Sequence, residues 1–557
     1  MRHVPLITAL ALGVALPTWA DKRLDDAVAK AERQLAEGKE DDAVKTLEKA
    51  ASKAKRDAEA PLALASLLQR LGRLEDAAAA LAEAGERGAS APPAVRARVL
   101  AARSAFALRV GTVREAMDFA RQAVEAEAGA ESLAALARAQ ARAGDPAARA
   151  TAAEATRAAP GSVAAQIASG DAFLAGKLAG EAEAAYRRAA ETEPGSAAAL
   201  TGLARALAAQ GRAAEALEAA RSATQADPHS AEALAAVGVA SLAADPDDAS
   251  SEAAAAVQQA TFLEPDNPLV KLEVGRVFES RAQLEQAAAA YEQAAALDPT
   301  WAAPRVAVLS LQLQQGDADA TLSGLRSLPD EMRKTGDAEL LLGQVLLATG
   351  DAAGARVALD SAVAALPGLA AAHAARGDAA EAVGEPELAA EAYGRAVELE
   401  PRSFDYRMRH GALLARAGRL EEALAELLEI TSQPEGKDPD ILMELGRVYG
   451  SFEPPRVEEA VAAYAQALEL EPGNADAALG VAKSYRAGGQ WKRAISAYER
   501  VEDVDPRRKG EALLGVAWCY CLGHDLYKAR FYAGLAAQAG ADMRELRAAL
   551  SASCGVE

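Results

Sequence analysis

Nine prolines close apolar stretches of this chain at near-constant intervals: Pro160, Pro194, Pro228, Pro265, Pro299, Pro367, Pro401, Pro472 and Pro506. Their separations are 34, 34, 37, 34, 68, 34, 71 and 34 residues. The 68 is two periods, and the 37 and the 71 each carry a three-residue insertion. A fixed period of this length means one small unit stacked many times, each copy unable to bury its apolar face alone. The interior of one period shows what the unit is. Between residues 198 and 230, Leu200, Leu203, Ala204 and Leu207 recur at the three- and four-residue spacings of an amphipathic helix. Gly211 interrupts that helix, Ala216, Ala220 and Ala223 line a second one, and Asp227-Pro228 ends the unit.

In this pattern the chain resembles the tetratricopeptide-repeat family over nearly its whole length. The family's small residue at the eighth position of the first helix is matched by Gly170, Ala204, Gly238, Gly275, Gly343, Gly377, Gly411 and Gly446. Its alanine at the tight contact of the second helix is matched by Ala182, Ala216, Ala253, Ala287, Ala355, Ala389, Ala423, Ala460 and Ala494. The large residue one turn later is Tyr186, Tyr291, Tyr393, Tyr464 or Tyr498, with Leu359 and Leu427 as substitutes. A missing side chain lets two helix axes approach, and the large residue fills the space beside it. The resemblance implies an all-α fold, a right-handed α-solenoid of about fifteen helix-turn-helix repeats. Extended layer upon layer, it would form an elongated, curved stack. The expected divisions are a signal segment over 1–20, loose repeats over 21–160, a central array over 161–334, a C-terminal array over 335–540, and a capping helix and tail over 541–557. The last of these would cover the terminal apolar face through Met543, Leu546 and Leu550.

Composition narrows the function. The 557 residues include about 150 alanines and only 4% aromatics, and the formal charge is −21. So acidic a chain lacks the basic footprint of general nucleic-acid binding and the polybasic segment of a membrane-surface anchor. No run after the N-terminus is long and apolar enough to suggest a membrane span. Eight of the eleven tyrosines fall between Tyr406 and Tyr532, together with Trp491 and Trp518. The stretch 60–160 is built mainly of Ala, Leu, Glu and Arg, and its alanine layers bury less area, so the N-terminal third is expected to be the softer part.

The N-terminus reads as an export signal. Arg2 and His3 precede an apolar run from Val4 to Leu16, and Thr18-Trp19-Ala20 presents a cleavage site before Asp21. No cysteine follows the cut, so the lipoprotein pattern is missing and a periplasmic protein is expected. The three cysteines are Cys519, Cys521 and Cys554. Cys519 or Cys521 could bridge Cys554 in an oxidising compartment, or all three could be small buried apolar residues.

The residues of catalysis are not in view. His3, His229, His373, His410 and His524 pair at neither metal-site nor triad spacing. Gly170 to Leu178 imitates a phosphate loop, but its spacing is one residue too long and Leu178 stands where Ser or Thr would hold magnesium. No cofactor, metal or small-molecule substrate is expected, and the chain reads as non-enzymatic. Relatives that grip a terminal carboxylate use two asparagines in first helices; here Asn267 and Asn474 sit in inter-repeat turns.

What the resemblance does imply is a partner-binding groove lined by first helices. Its fifth, ninth and twelfth positions map to an apolar trough of Val239, Leu242, Leu272, Val306, Leu313, Leu340 and Leu347 in the middle repeats. In the C-terminal repeats they map to Met408, Met443, Arg447, Leu479, Lys483, Arg486, Leu514 and Trp518, a mixture typical of interface anchors. Two functions follow. One is a scaffold joining other proteins of a bacterial envelope machine for secretion, polysaccharide export, outer-membrane assembly or surface motility. The other is a periplasmic chaperone or carrier holding extended polypeptides in the trough.

Overall fold

The computed structural model describes residues 22–245, 251–433 and 436–541. The export signal and the capping helix expected from residue 542 onward lie outside the described residues. The chain is 80% helical, with no strand among the described residues. Apart from short turns of helix at Asp330–Arg333 and Pro506–Arg508, the helices form fifteen consecutive hairpins from Lys22–Ala36 with Glu40–Lys53 to Lys509–Leu522 with Leu526–Gln538. No described helix is long and apolar enough to cross a membrane.

The turn inside each hairpin explains much of the glycine. Most of these turns use a left-handed residue, which Gly38, Gly72, Gly144, Gly211, Gly316, Gly350, Gly384, Gly418 and Gly489 supply in nine of them. In three hairpins Lys177, Ala282 and His524 take that conformation instead. Between hairpins, Ser162, Ser230, Asn267, Ser403 and Asn474 cap the next first helix by accepting its N–H groups. The two asparagines are thus structural caps.

Contacts divide the chain into two compact units, residues 1–372 and 373–557. In both, the glycine of the first helix exists for the large residue of the second. A Cβ on Gly170 would lie 2.5 Å from the Tyr186 ring, and one on Gly446 2.7 Å from the Tyr464 ring. The same tyrosines also press on Gly202 and Gly480 of the following hairpin, as Tyr498 presses on Gly515. The Tyr186 and Tyr464 rings are therefore each clamped between two successive first helices.

The first unit is not an extended stack. Its early hairpins fold back on later ones along a seam. The Arg109 Nη2 and Nε groups donate to Glu264 Oε1 at 2.5 and 3.0 Å. The backbone N–H of Val113 donates to Asp298 Oδ2 at 2.8 Å, and that of Gly368 to the Gly176 carbonyl at 3.2 Å. Lys177 faces Asp337 at 3.4 Å. An apolar core runs through the same seam, joining Leu108, Met117 and Ala139 to Leu272, Tyr291 and Trp301. The seam gives the alanine layers of residues 93–143 a second buried face that the period alone does not announce.

Candidate functional site

The C-terminal groove residues separate into two classes. Leu479 is 1% exposed, Met443 8% and Leu514 9%; these three pack between hairpins and are not surface anchors. Met408 and Trp518 are half-buried. Arg447 and Lys483 are exposed, and Arg486 is half-buried. The reason for the split is geometric. Arg447 and Lys483 are ninth in the helices Pro439–Gly450 and Ala475–Ala487, whereas Met443 and Leu479, four residues earlier, turn toward the neighbouring hairpin.

The basic heads are not a free positive patch. Arg447 pairs with Glu444 at 2.6 Å and Lys483 with Glu511 at 3.0 Å. Arg508 bridges Asp476 at 2.5 Å and Glu511 at 2.9 Å. Arg486 lies over the Trp518 ring with its guanidinium carbon 4.2 Å from the centroid. What remains is a ledge whose charges are mostly paired: an aromatic plate under an arginine, rimmed by acids and bases.

The apolar trough of the middle repeats does not form as expected. Leu242, Leu272 and Val306 are buried, while Val239, Leu313, Leu340 and Leu347 are half-buried. Leu272 is covered by the early helices of the seam. Val306 packs on Leu309, Leu325, Met332 and Leu341. Leu242 sits against Val257 and Val277.

The first unit carries instead a ladder of charges that the sequence reading passed over. Arg138, Asp171, Arg205 and Arg276 are each ninth in their first helices, Ala130–Ala143, Val163–Ala175, Ala197–Ala209 and Pro268–Ser280. Arg138 pairs with Asp171 at 2.8 Å. Arg205 stands 3.5 Å from Glu232 and 3.7 Å from Glu273, and Arg276 holds Glu273 at 3.2 Å. The Tyr186 hydroxyl donates to Asp171 Oδ1 at 2.6 Å. Burial raises the Glu232 carboxyl, but Arg205, Arg142, Arg138 and Arg109 outweigh it and hold Glu232 below the ordinary glutamate value. A ninth position charged in hairpin after hairpin was the available signal.

At the chain's end the open question about cysteines closes: Cys521 is disulfide-bonded, and Cys519 is a free, buried thiol. Burial pushes the Cys519 thiol up to about 11, which makes it an inert core residue. Among the described residues, no group of three or more His, Cys, Asp or Glu side chains is arranged to hold a metal ion.

No curated protein sequence matches the chain. Among solved structures it is similar to the Cut9–Hcn1 hetero-tetramer of the APC/C, with 15% identity, 82% of this chain and 96% of that one covered, and a TM-score of 0.37. It is also similar to Pseudomonas aeruginosa pilF, with 26% identity over 38% of this chain and 91% of that one and a TM-score of 0.29. A third likeness is to human IFIT1, with 16% identity over 74% and 90% of the two chains and a TM-score of 0.35. Models of the tetratricopeptide repeat match residues 179–231, 374–440 and 456–517. The matched segments coincide with hairpins that carry the glycine–tyrosine clamp, and over these segments the chain is built of tetratricopeptide repeats.

Proposed function

We propose that this protein is a non-enzymatic scaffold of a bacterial envelope, working in the periplasm to hold together components of a secretion, polysaccharide-export, outer-membrane-assembly or surface-motility machine. Tetratricopeptide repeats are protein-interaction modules, and that coarser role rests on the family. The finer reading is supported by the signal pattern of residues 1–20 and by a disulfide at Cys521, a bond that persists in oxidising compartments. The observation that carries the interaction surface is the ledge at Trp518, where a half-buried indole lies under Arg486 between the Lys483–Glu511 and Arg508–Asp476 pairs. Indole and guanidinium side chains at the centre of a polar rim are the usual sites of concentrated binding energy. The carrier reading has a thinner lining than expected, since Leu242, Leu272 and Val306 are buried while Val239, Leu313, Leu340 and Leu347 are half-buried.

Crosslinking in intact cells identifies the partners, and the intact mass of the mature protein checks that it begins at Asp21. With a partner in hand, Trp518→Ala is expected to weaken the complex by about 2 kcal/mol or more. Lys483→Glu should mainly slow association and change its salt dependence. Melting temperature is read on the same variants. If Trp518→Ala lowers the melting temperature and leaves affinity intact, Trp518 is a packing residue and the ledge is not the interface. Capture of many unrelated unfolded chains, with no stoichiometric partner, would instead restore the carrier reading.

A further inference from the structure

Two hairpins of the first unit depart from the repeat, and their departures meet at one place. Ala148–Ala158 and Ala318–Ser327, with 11 and 10 residues, are the shortest second helices of the described hairpins. The first is preceded by the turn Gly144-Asp145-Pro146, and the second is followed by the short turn of helix Asp330–Arg333. Both connections line one cavity of about 500 Å³ in the seam, together with the helix Val113–Ala126. That volume is in the range of ligand pockets. Insertions into a repeat often fall on its binding face. Contacts across the seam hold the walls. The Arg114 backbone N–H donates to Thr300 Oγ1 at 3.2 Å, and a Cβ on Gly144 would lie 3.2 Å from Thr335 Cγ2. Met117 and Met332, 8% and 5% exposed, belong to two separate apolar cores and both line the cavity. Arg114, Asp118 and Arg121 follow one another at four and three residues along the helix, and Glu331 and Lys334 stand on the short connection. All five are exposed, so solvent reaches them. At those helical spacings the protein closes ion pairs elsewhere, as Arg187 does with Glu183 and Arg276 with Glu273. Here none of the five side chains closes an ion pair or a hydrogen bond among the described residues.

We propose that this cavity docks a short extended segment of a partner protein in which an acid, a base and an acid alternate with apolar residues. The helix Val113–Ala126 presents base, acid and base about one turn apart, and a helical turn rises about 5.4 Å. Alternate residues of an extended chain lie about 6.6 Å apart, so acid, base and acid at every second position answer that row. The apolar residues between them turn the other way. They are left to the rest of the lining, where Met117 and Met332 offer thioethers that adapt to apolar groups of different shape. The three bases are balanced by Asp118, Asp145 and Glu331, so the cavity has no net charge to draw a phosphate or a nucleic acid. It is also a separate surface from the groove of first helices, because its walls are a second helix and two connections. It lies in the other unit from the Trp518 ledge, so either surface can fail without the other.

The test uses the full chain and two labelled pentapeptides with blocked ends, Glu-Leu-Lys-Leu-Glu and its charge-reversed counterpart Lys-Leu-Glu-Leu-Lys. Binding is followed by fluorescence anisotropy at low ionic strength, where screening of exposed charge is weakest. The protein carries a formal charge of −21, so unspecific attraction would favour the reversed peptide, whose net charge is positive. The expected result is the opposite: saturable binding of the first peptide, about tenfold tighter than the second, from three exposed pairs of modest strength. Arg114→Glu, Asp118→Arg and Arg121→Glu made together invert the row and should exchange the preference. These side chains have no partners to lose, so the melting temperature should move little. Arg121→Gln alone should cut the preference by about threefold, and decides the matter if the triple variant melts early. Lys483→Glu in the other unit should leave both affinities unchanged. No saturable binding of either peptide, equal binding of both, or a preference that these variants leave intact overturns the proposal and makes the cavity a gap in the packing of the seam.

Discussion

Glu193 shows how a single charge can work against the fold that contains it. It follows the last residue of the helix Ala179–Thr192, where its own N–H bonds to the Ala189 carbonyl. The helix C-terminus disfavours a negative group. Burial alone raises its carboxyl from an ordinary 4.5 to about 7. The folded state therefore holds this proton more tightly than the unfolded chain does. The associated stability is present in full below about pH 4.5 and is lost as the pH rises through about 7. Glu193→Gln removes the titration. The substitution is expected to leave stability near pH 4 unchanged and to raise it by about 1 kcal/mol at pH 8, a figure reduced for the partial exposure of the group. Melting temperature measured against pH on both proteins checks this. Equal gains at pH 4 and pH 8 would assign the effect to something other than the carboxylate.

At the scale of the element, the recurrent device is the tyrosine clamped between two glycines. Gly480 is an instructive case because it belongs to the hairpin after the one that supplies the ring. A Cβ there would stand 2.6 Å from Cε1 of Tyr464, which is itself only 7% exposed. Gly480→Ala gains about 1 kcal/mol of helix propensity and incurs an overpacking cost of about 1–3 kcal/mol. The expected net result is a lower melting temperature, relieved when Tyr464→Leu is added to make room. Failure of the second substitution to relieve the first would show that the ring is not the obstacle. The period and the eighth-position glycines were legible in the sequence, because they repeat within one unit. Gly202, Gly480 and Gly515 were passed over because their partner lies in the preceding hairpin. The C-terminal site was legible only in part for a similar reason. Positions four residues apart on one helix, such as Leu479 and Lys483, were assigned to the same groove, yet the first is sealed against the next hairpin and only the second reaches solvent.

At the scale of the whole molecule, the seam of the first unit is what a repeat period cannot disclose. In a simple solenoid each repeat touches only its neighbours, and stability is a sum of nearest-neighbour terms. Here Arg109 and Glu264 meet across 155 residues, and Val113 and Asp298 across 185. Glu264 is 3% exposed and is held from both sides. Arg109 donates to one of its oxygens, and Asn267 Nδ2 to the other at 2.7 Å. Asn267 in turn accepts the N–H groups of Leu269 and Val270, capping the helix Pro268–Ser280. Arg109→Met keeps the apolar stem and removes the cation, leaving a buried carboxylate half-satisfied. Breaking one partner of such a pair costs about 3–5 kcal/mol. Pairing the change with Glu264→Gln should recover much of that loss, since the uncompensated charge is then gone. Hydrogen exchange distinguishes a local injury from an opened seam. In Arg109→Met the amides of Leu269 and Val270 lose protection in either case. If the seam is one cooperative layer, the amide of Val113, held by Asp298 in the next contact along, loses protection with them. Retained protection at Val113 would mean that the seam contacts act singly and that the unit melts hairpin by hairpin like an ordinary solenoid.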